Sequence, residues 1–98
     1  MVFTAGQRSI MAELISYYGH ESQILQLLEE MAELQKELCK DMRGMPNPEA
    51  IIAEVADVLI MLEQIQMMYR ISETRLHQIT NIKLRRQLRR IEDESTKM

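Results

Sequence analysis

Two short stretches hold the residues whose types and spacing could do chemistry. In residues 50–62, AIIAEVADVLIML, every side chain is apolar except Glu54 and Asp57. Three residues apart on a helix, these two carboxylates project from one face and can close on a single ion from the same side. A helix that is apolar all round is a buried one, and an ionised carboxylate withdrawn from water costs several kcal/mol unless a cation or a basic side chain compensates it. The matching pair is Glu30 and Glu33 in LEEMAEL, residues 28–34. At about 100° per residue these two lie within about 60° of each other and flank the stripe of Ile24, Leu27, Met31 and Leu38. If their helices pack antiparallel, four carboxylates surround one small volume. Hard divalent cations take oxygen ligands, so Mg²⁺ is the expected ion and Mn²⁺ its substitute. The competing partner for Glu54 and Asp57 is an ion pair with the arginine-rich end of the chain.

Positioning such groups requires helices in register. Gly44, Pro46 and Pro48 cluster in RGMPNP, residues 43–48, and split the 98-residue chain almost in half. Before that break, Ile10, Met11, Leu14, Ile15 and Tyr18 recur at helical spacing. After the interruption at Tyr18, Gly19 and His20 a second series runs from Ile24 to Leu38. Beyond the break, Asn47 as N-cap and Pro48 in the first turn open a helix expected to run to about Tyr69. Ser72 followed by Glu73 starts a fourth, with a partial stripe of Leu76, Leu84, Leu88 and Ile91 before a polar tail from about residue 92. No period-two strand pattern competes. The expectation is an all-α, four-helix bundle-type subunit in a single domain spanning residues 1–98.

Composition bounds the rest. With 12 Lys+Arg, 15 Asp+Glu, a net charge of −3 and 46% hydrophobic residues, the chain has a globular balance and is not a basic, nucleic-acid-coating protein. The single cysteine, Cys39, excludes an intramolecular disulfide and a cysteine zinc cage. With no apolar run of about 18 residues and no leader-like segment at the start, a cytoplasmic protein is expected, without membrane or nucleic-acid-polymer partners. Charge is distributed in blocks: from Glu21 to Glu63 there are ten acidic residues against three basic, and from Arg70 to Arg90 seven basic against Glu73 alone. An acidic middle and a basic end can attract each other, and a metal–polyphosphate site needs the same pairing. His20 and His77 have no partner at metal-ligand spacing, and the nine methionines, Met61 included, read as adaptable core or interface filler.

The sequence resembles the MazG-like, all-α nucleoside triphosphate pyrophosphohydrolases. The resemblance rests on Glu29-Glu30-Met31-Ala32-Glu33-Leu34, on Glu54-Val55-Ala56-Asp57 with Val58, Leu59 and Ile60 after it, on Gln23 ahead of the first motif, and on Asn81-Ile82-Lys83-Leu84-Arg85-Arg86. Together these cover roughly residues 20 to 90. The resemblance implies Mg²⁺-dependent hydrolysis of a nucleoside triphosphate, ribo or deoxyribo, to the monophosphate and pyrophosphate. It places Glu30, Glu33, Glu54 and Asp57 at metal-binding positions and Asn81, Lys83 and Arg86 at positions that hold phosphates or sugar. Where many relatives carry an aromatic residue four positions after the aspartate, this chain has Met61.

Such chemistry needs neutralised phosphate oxygens and an oriented water more than a protein nucleophile. Glu29, or one of the ligands, is the candidate to accept the water's proton. Four short helices can hardly cover the apolar third helix, so a homo-oligomer is expected. The resemblance implies a homodimer or a dimer-of-dimers tetramer. Two other readings remain: a phosphoribosyl-ATP pyrophosphatase-like enzyme, although Leu27-Leu28 stands where a Lys-x-Gly would be expected, and a non-catalytic helical dimerisation module.

Overall fold

The protein is described by a computed structural model covering residues 3–97. Residues 1, 2 and 98, the ends of the expected domain span, lie outside the described residues. Four helices follow one another: α1 (Ala5–Tyr18), α2 (His20–Met42), α3 (Pro48–Met68) and α4 (Glu73–Thr96). Among the described residues there is no strand, and no helix is long and apolar enough to cross a membrane.

Local chemistry sets each boundary. Thr4 and Gln7 form a capping box at the start of α1: Gln7 N–H donates to Thr4 Oγ1 at 3.1 Å, and Thr4 N–H donates to Gln7 Oε1 at 2.8 Å. Gly19 closes α1, its N–H donating to the Ile15 carbonyl at 2.9 Å, and also begins α2. Its φ of 89° and ψ of 161° put it in a region that only glycine occupies without strain. Gly44, at φ 81°, ends the α2 corner. There Met45 N–H returns to the Lys40 carbonyl at 3.0 Å and satisfies a helix-end acceptor. Asn47 caps α3 by accepting from Ala50 N–H at 3.2 Å, with Pro48 in the first turn. Ser72 caps α4 by accepting from Arg75 N–H at 3.0 Å.

α2 and α3 form the main packed pair, and α1 lies across both. The pair is antiparallel: Gln23 on α2 bonds to Gln64 on α3, and seven residues further along α2 Glu30 meets Asp57, seven residues earlier on α3. Buried between them are Leu27 and Met61, with Met11 of α1 beside them. Three such side chains supply about 1.5–3 kcal/mol each. The remaining buried side chains are polar. Gln64 is fully buried, its Oε1 accepting from Gln23 Nε2 at 2.7 Å, and Glu63 is buried against Arg8, whose Nε lies 3.2 Å from Glu63 Oε2. These pairings meet the requirement that buried polar groups find partners.

α4 does not lie against the other three helices. Its chain leaves α3 at a corner where Arg70 takes a positive φ of 52°, Ile71 N–H donates to the Gln66 carbonyl at 3.0 Å, and Gln66 Nε2 reaches the Ile71 carbonyl and Glu73 Oε1, both at 3.4 Å. The radius of gyration is accordingly 17.1 Å, against about 13 Å for a compact domain of this length. The four expected helices are therefore present, but within one chain the fourth does not close a bundle. α3 was expected to be covered on every side, yet Ile52 is 60% exposed and Leu62 46%. One copy has two helices to lay against α3, and neither reaches that face.

Gly19→Ala should destabilise the fold by about 1–3 kcal/mol, because an added Cβ meets no atom within 4 Å and the cost is purely conformational. Urea denaturation should show a lower midpoint with an unchanged slope. An unaltered midpoint would mean that the two helices meet there in another way.

Candidate functional site

Antiparallel pairing of α2 and α3 brings the two acidic motifs together. One carboxylate oxygen from each of Glu30, Glu54 and Asp57 lies within 4.8 Å of the others. Glu30 is steadied by Gln26, one turn earlier on α2, whose Nε2 donates to Glu30 Oε1 at 2.7 Å. Glu30 and Glu54 are half-buried and Asp57 is exposed, so the group sits at the edge of the helix pair and opens to solvent on one side. Glu54 Oε2 is shielded from water and has no hydrogen-bond partner.

Electrostatics follow from this crowding. The Glu54 carboxyl is held above its ordinary value, first by loss of hydration and then by the charges of Glu30, Asp57 and Glu33, with a hydrogen bond to Glu30 adding to the effect. A cation drawn into this group would offset the repulsion and lost hydration that raise it. Among the described residues no ion pair joins Glu54 or Asp57 to an α4 arginine; the salt bridges are Arg8–Glu63 and Lys40–Glu37. The residues fit a hard divalent ion on three counts: an all-oxygen donor set, an orphaned and shielded Glu54 oxygen, and a surplus of negative charge.

The other residues singled out in the sequence are placed differently. Glu33 contributes charge to Glu54 but stands outside the close group, exposed on α2. Glu29 is exposed on the same helix. Asn81, Lys83 and Arg86 are exposed on α4, which does not reach the carboxylates of its own chain. Met61 is buried at 5% exposure, with Gln64 Nε2 3.7 Å from its sulfur, so it is a core residue.

Along the helix seam the site rests on layers. The carboxylates come first, then Leu27 and Met61, then the Gln23–Gln64 bond about two turns, or about 10 Å, away. Sequence reasoning missed Gln26 as the group that orients Glu30, and missed the Arg8–Glu63 pair that ties α1 to α3. An i, i+4 Gln–Glu spacing signals the first. No spacing signals the second, because its partners are brought together only by tertiary packing.

No family model matches this chain, and neither a curated protein nor a solved structure matches it.

Because Glu54 binds its proton more tightly in the folded state, the metal-free protein should lose stability as pH rises from the ordinary value of 4.5 through the raised folded value. Glu54→Gln should remove this contribution, leaving a metal-free protein that melts higher than the parent at neutral pH. Thermal melts in chelator between about pH 4 and pH 8 read this directly. Parallel melting curves for the two proteins across that range would show that Glu54 carries no such strain.

Proposed function

We propose that this protein is a Mg²⁺-dependent nucleoside triphosphate pyrophosphohydrolase that releases pyrophosphate and a nucleoside monophosphate. The observation that carries the reading is the convergence of Glu30, Glu54 and Asp57 from two helices onto one small volume, with a shielded Glu54 oxygen that no protein group satisfies. The motif resemblance over residues 29–34, 54–57 and 81–86 supplies the reaction class.

In this reading Glu30, Glu54 and Asp57 hold the ion, and Glu33 adds negative charge beside them. Mg²⁺ supplies neutralisation of phosphate oxygens and lowers the cost of charge developing there. Gln26 keeps the Glu30 carboxylate in place. A carboxylate at the open edge of the group accepts the proton of the attacking water, Glu29 being the nearest in sequence that is not itself in the close group. Lys83 and Arg86 are the groups suited to bind the leaving pyrophosphate, since cations placed where negative charge develops stabilise the transition state. The α4 arginines stay unpaired with Glu54 and Asp57 within one chain, which argues against a purely structural acid–base pairing.

The test is pyrophosphate release from a panel of ribo- and deoxyribonucleoside triphosphates, with Mg²⁺ and with chelator. Turnover should require the metal, with Mn²⁺ substituting. Glu54→Gln should lower it by about 100-fold or more while circular dichroism shows the same helix content. Mg²⁺ at 100 times its dissociation constant should stabilise the parent by about 2.7 kcal/mol. Metal-independent turnover, or an active Glu54→Gln protein, would overturn the assignment.

A further inference from the structure

We propose that the apolar slot between α1 and α3 is the subsite for the base of the nucleoside triphosphate, and that it holds the base by apolar contact with little readout of its edge. The inference rests on the pyrophosphohydrolase reading for the identity of the ligand. The slot and its place beside the carboxylates are independent of that reading.

A row of residues three apart on α3 connects the acids to the slot. From Glu54 to Asp57, Ile60 and Glu63, each step turns about 60° round the helix in one sense and climbs about 4.5 Å. Glu54 begins the row on the side of Glu30 and α2. Asp57 follows, exposed, at the open edge of the carboxylate group. Glu63 ends the row against α1, with Arg8 Nε 3.2 Å from its Oε2. Between Asp57 and Glu63, Ile60 forms the α3 wall of a slot of about 180 Å³, whose other walls are Phe3, Gln7, Ile10, Met11 and Leu14. The open edge of the acids therefore leads, one helical turn on, into the slot. Phosphates held by a cation at Glu54 and Asp57 would leave the sugar to span that turn and the base to enter beyond it.

The slot suits a flat heterocycle. An apolar cavity of about 150 Å³ takes up a benzene ring. Met11, buried at 3% exposure, forms the floor, and a thioether against an aromatic ring is a favourable contact. Leu14 and Ile60 are half-buried, and Ile10 stands at the rim, 59% exposed, so a ring laid over them removes apolar surface from water. The Arg8–Glu63 pair, one residue from Gln7 and three from Ile60, fixes the spacing of the two walls. Met61 cannot take this part, because it is packed in the core between α2 and α3 with Gln64 Nε2 3.7 Å from its sulfur. The contact passes instead to its neighbour Ile60.

Among the lining side chains Gln7 alone carries an amide, and its Oε1 accepts from Thr4 N–H at 2.8 Å. That leaves Nε2 as the single donor at the slot. A pocket built of apolar contact with one donor discriminates weakly between ligands of similar shape. The substrate class that follows is nucleoside triphosphates of more than one base, purine and pyrimidine alike.

The test follows the methyl signals of Ile10, Leu14 and Ile60 by NMR in the full chain with Mg²⁺. The ligands are α,β-methylene analogues of adenosine and uridine triphosphate, which cannot be cut between those phosphates, and inorganic tripolyphosphate as the probe without a base. Both nucleotides should move the slot methyls by the ring current of the base, and tripolyphosphate should leave them in place. Ile10→Ser, at an exposed position, should weaken both nucleotides about 10-fold with tripolyphosphate affinity unchanged. Nucleotide binding with unmoved slot methyls would overturn the proposal, as would an equal loss of tripolyphosphate affinity or a preference above about 100-fold for one base. Turnover decides the enzymatic reading separately. Slot methyls that shift in a protein that cleaves no nucleotide would remove the hydrolase and leave the slot standing, turnover with unmoved methyls would do the reverse, and absence of any nucleotide binding would remove both.

Discussion

Crowding of like charge on the α2–α3 pair is the constraint around which this molecule is built. Glu30, Glu54 and Asp57 stand within 4.8 Å of one another because the helices that carry them pack antiparallel, and Glu33 adds to the field. The arrangement opposes folding, since each carboxylate would be better hydrated apart from the others. Helix packing must therefore hold the acids together against their repulsion, and the rest of the seam is arranged to do so. Leu27 and Met61 exclude water directly behind the acids, and the Gln23–Gln64 bond closes the next layer in a fully buried setting where a misaligned amide would be costly. The Arg8–Glu63 pair then fixes α1 across the end of α3. Much of the buried interior is polar. Such a core contributes register as well as burial, because the buried amides and carboxylate are satisfied in only one alignment.

The second constraint is surface. A chain of 98 residues that gives 24 of them to a helix lying clear of the other three has little left with which to cover α3. The exposed seams on α3 and α4 and the small apolar core have the same origin: α4 is directed outward by its corner. The carboxylates lie on the side of α3 that faces α2, away from its uncovered apolar face, and the helix that lacks an apolar partner carries six of the chain's twelve Lys and Arg residues.

Much of this was legible without coordinates. Breakers and caps at Gly19, Gly44, Asn47 with Pro48, and Ser72 act through neighbours one to five residues away, and the first helix shows in the spacing of Ile10, Met11, Leu14, Ile15 and Tyr18, so all four helices could be read from local chemistry; the Thr4 cap that starts the first was not. Glu54 and Asp57 stood out because charge on an otherwise apolar helix is expensive, and Glu30 and Glu33 because the same spacing recurs on the preceding helix. What escaped were contacts between residues distant in sequence. Arg8 finds Glu63 only through the crossing of α1 over α3. Gln26 matters only once Glu30 is known to face α3. Glu33, although it matches the motif, falls outside the close group, because its position round α2 carries it past the line of contact with α3.

The sequence by itself determined the helical class, the four segments, the bounds of α3 and the start of α4, and the acidic pairs on successive helices, since each of these depends on propensity, spacing and capping within a few turns; the last helix, expected to give way to a polar tail from about residue 92, runs on to Thr96. Only the tertiary structure decided which three carboxylates converge, that the Glu54 oxygen is left shielded without a partner, and that α4 points away from the carboxylates of its own chain. Those outcomes depend on rotation of whole helices about their axes and on one backbone corner at residues 69–72, where Arg70 takes a positive φ. Helical periodicity is blind to both, because it defines the faces of a helix and says nothing of the direction in which the next helix leaves.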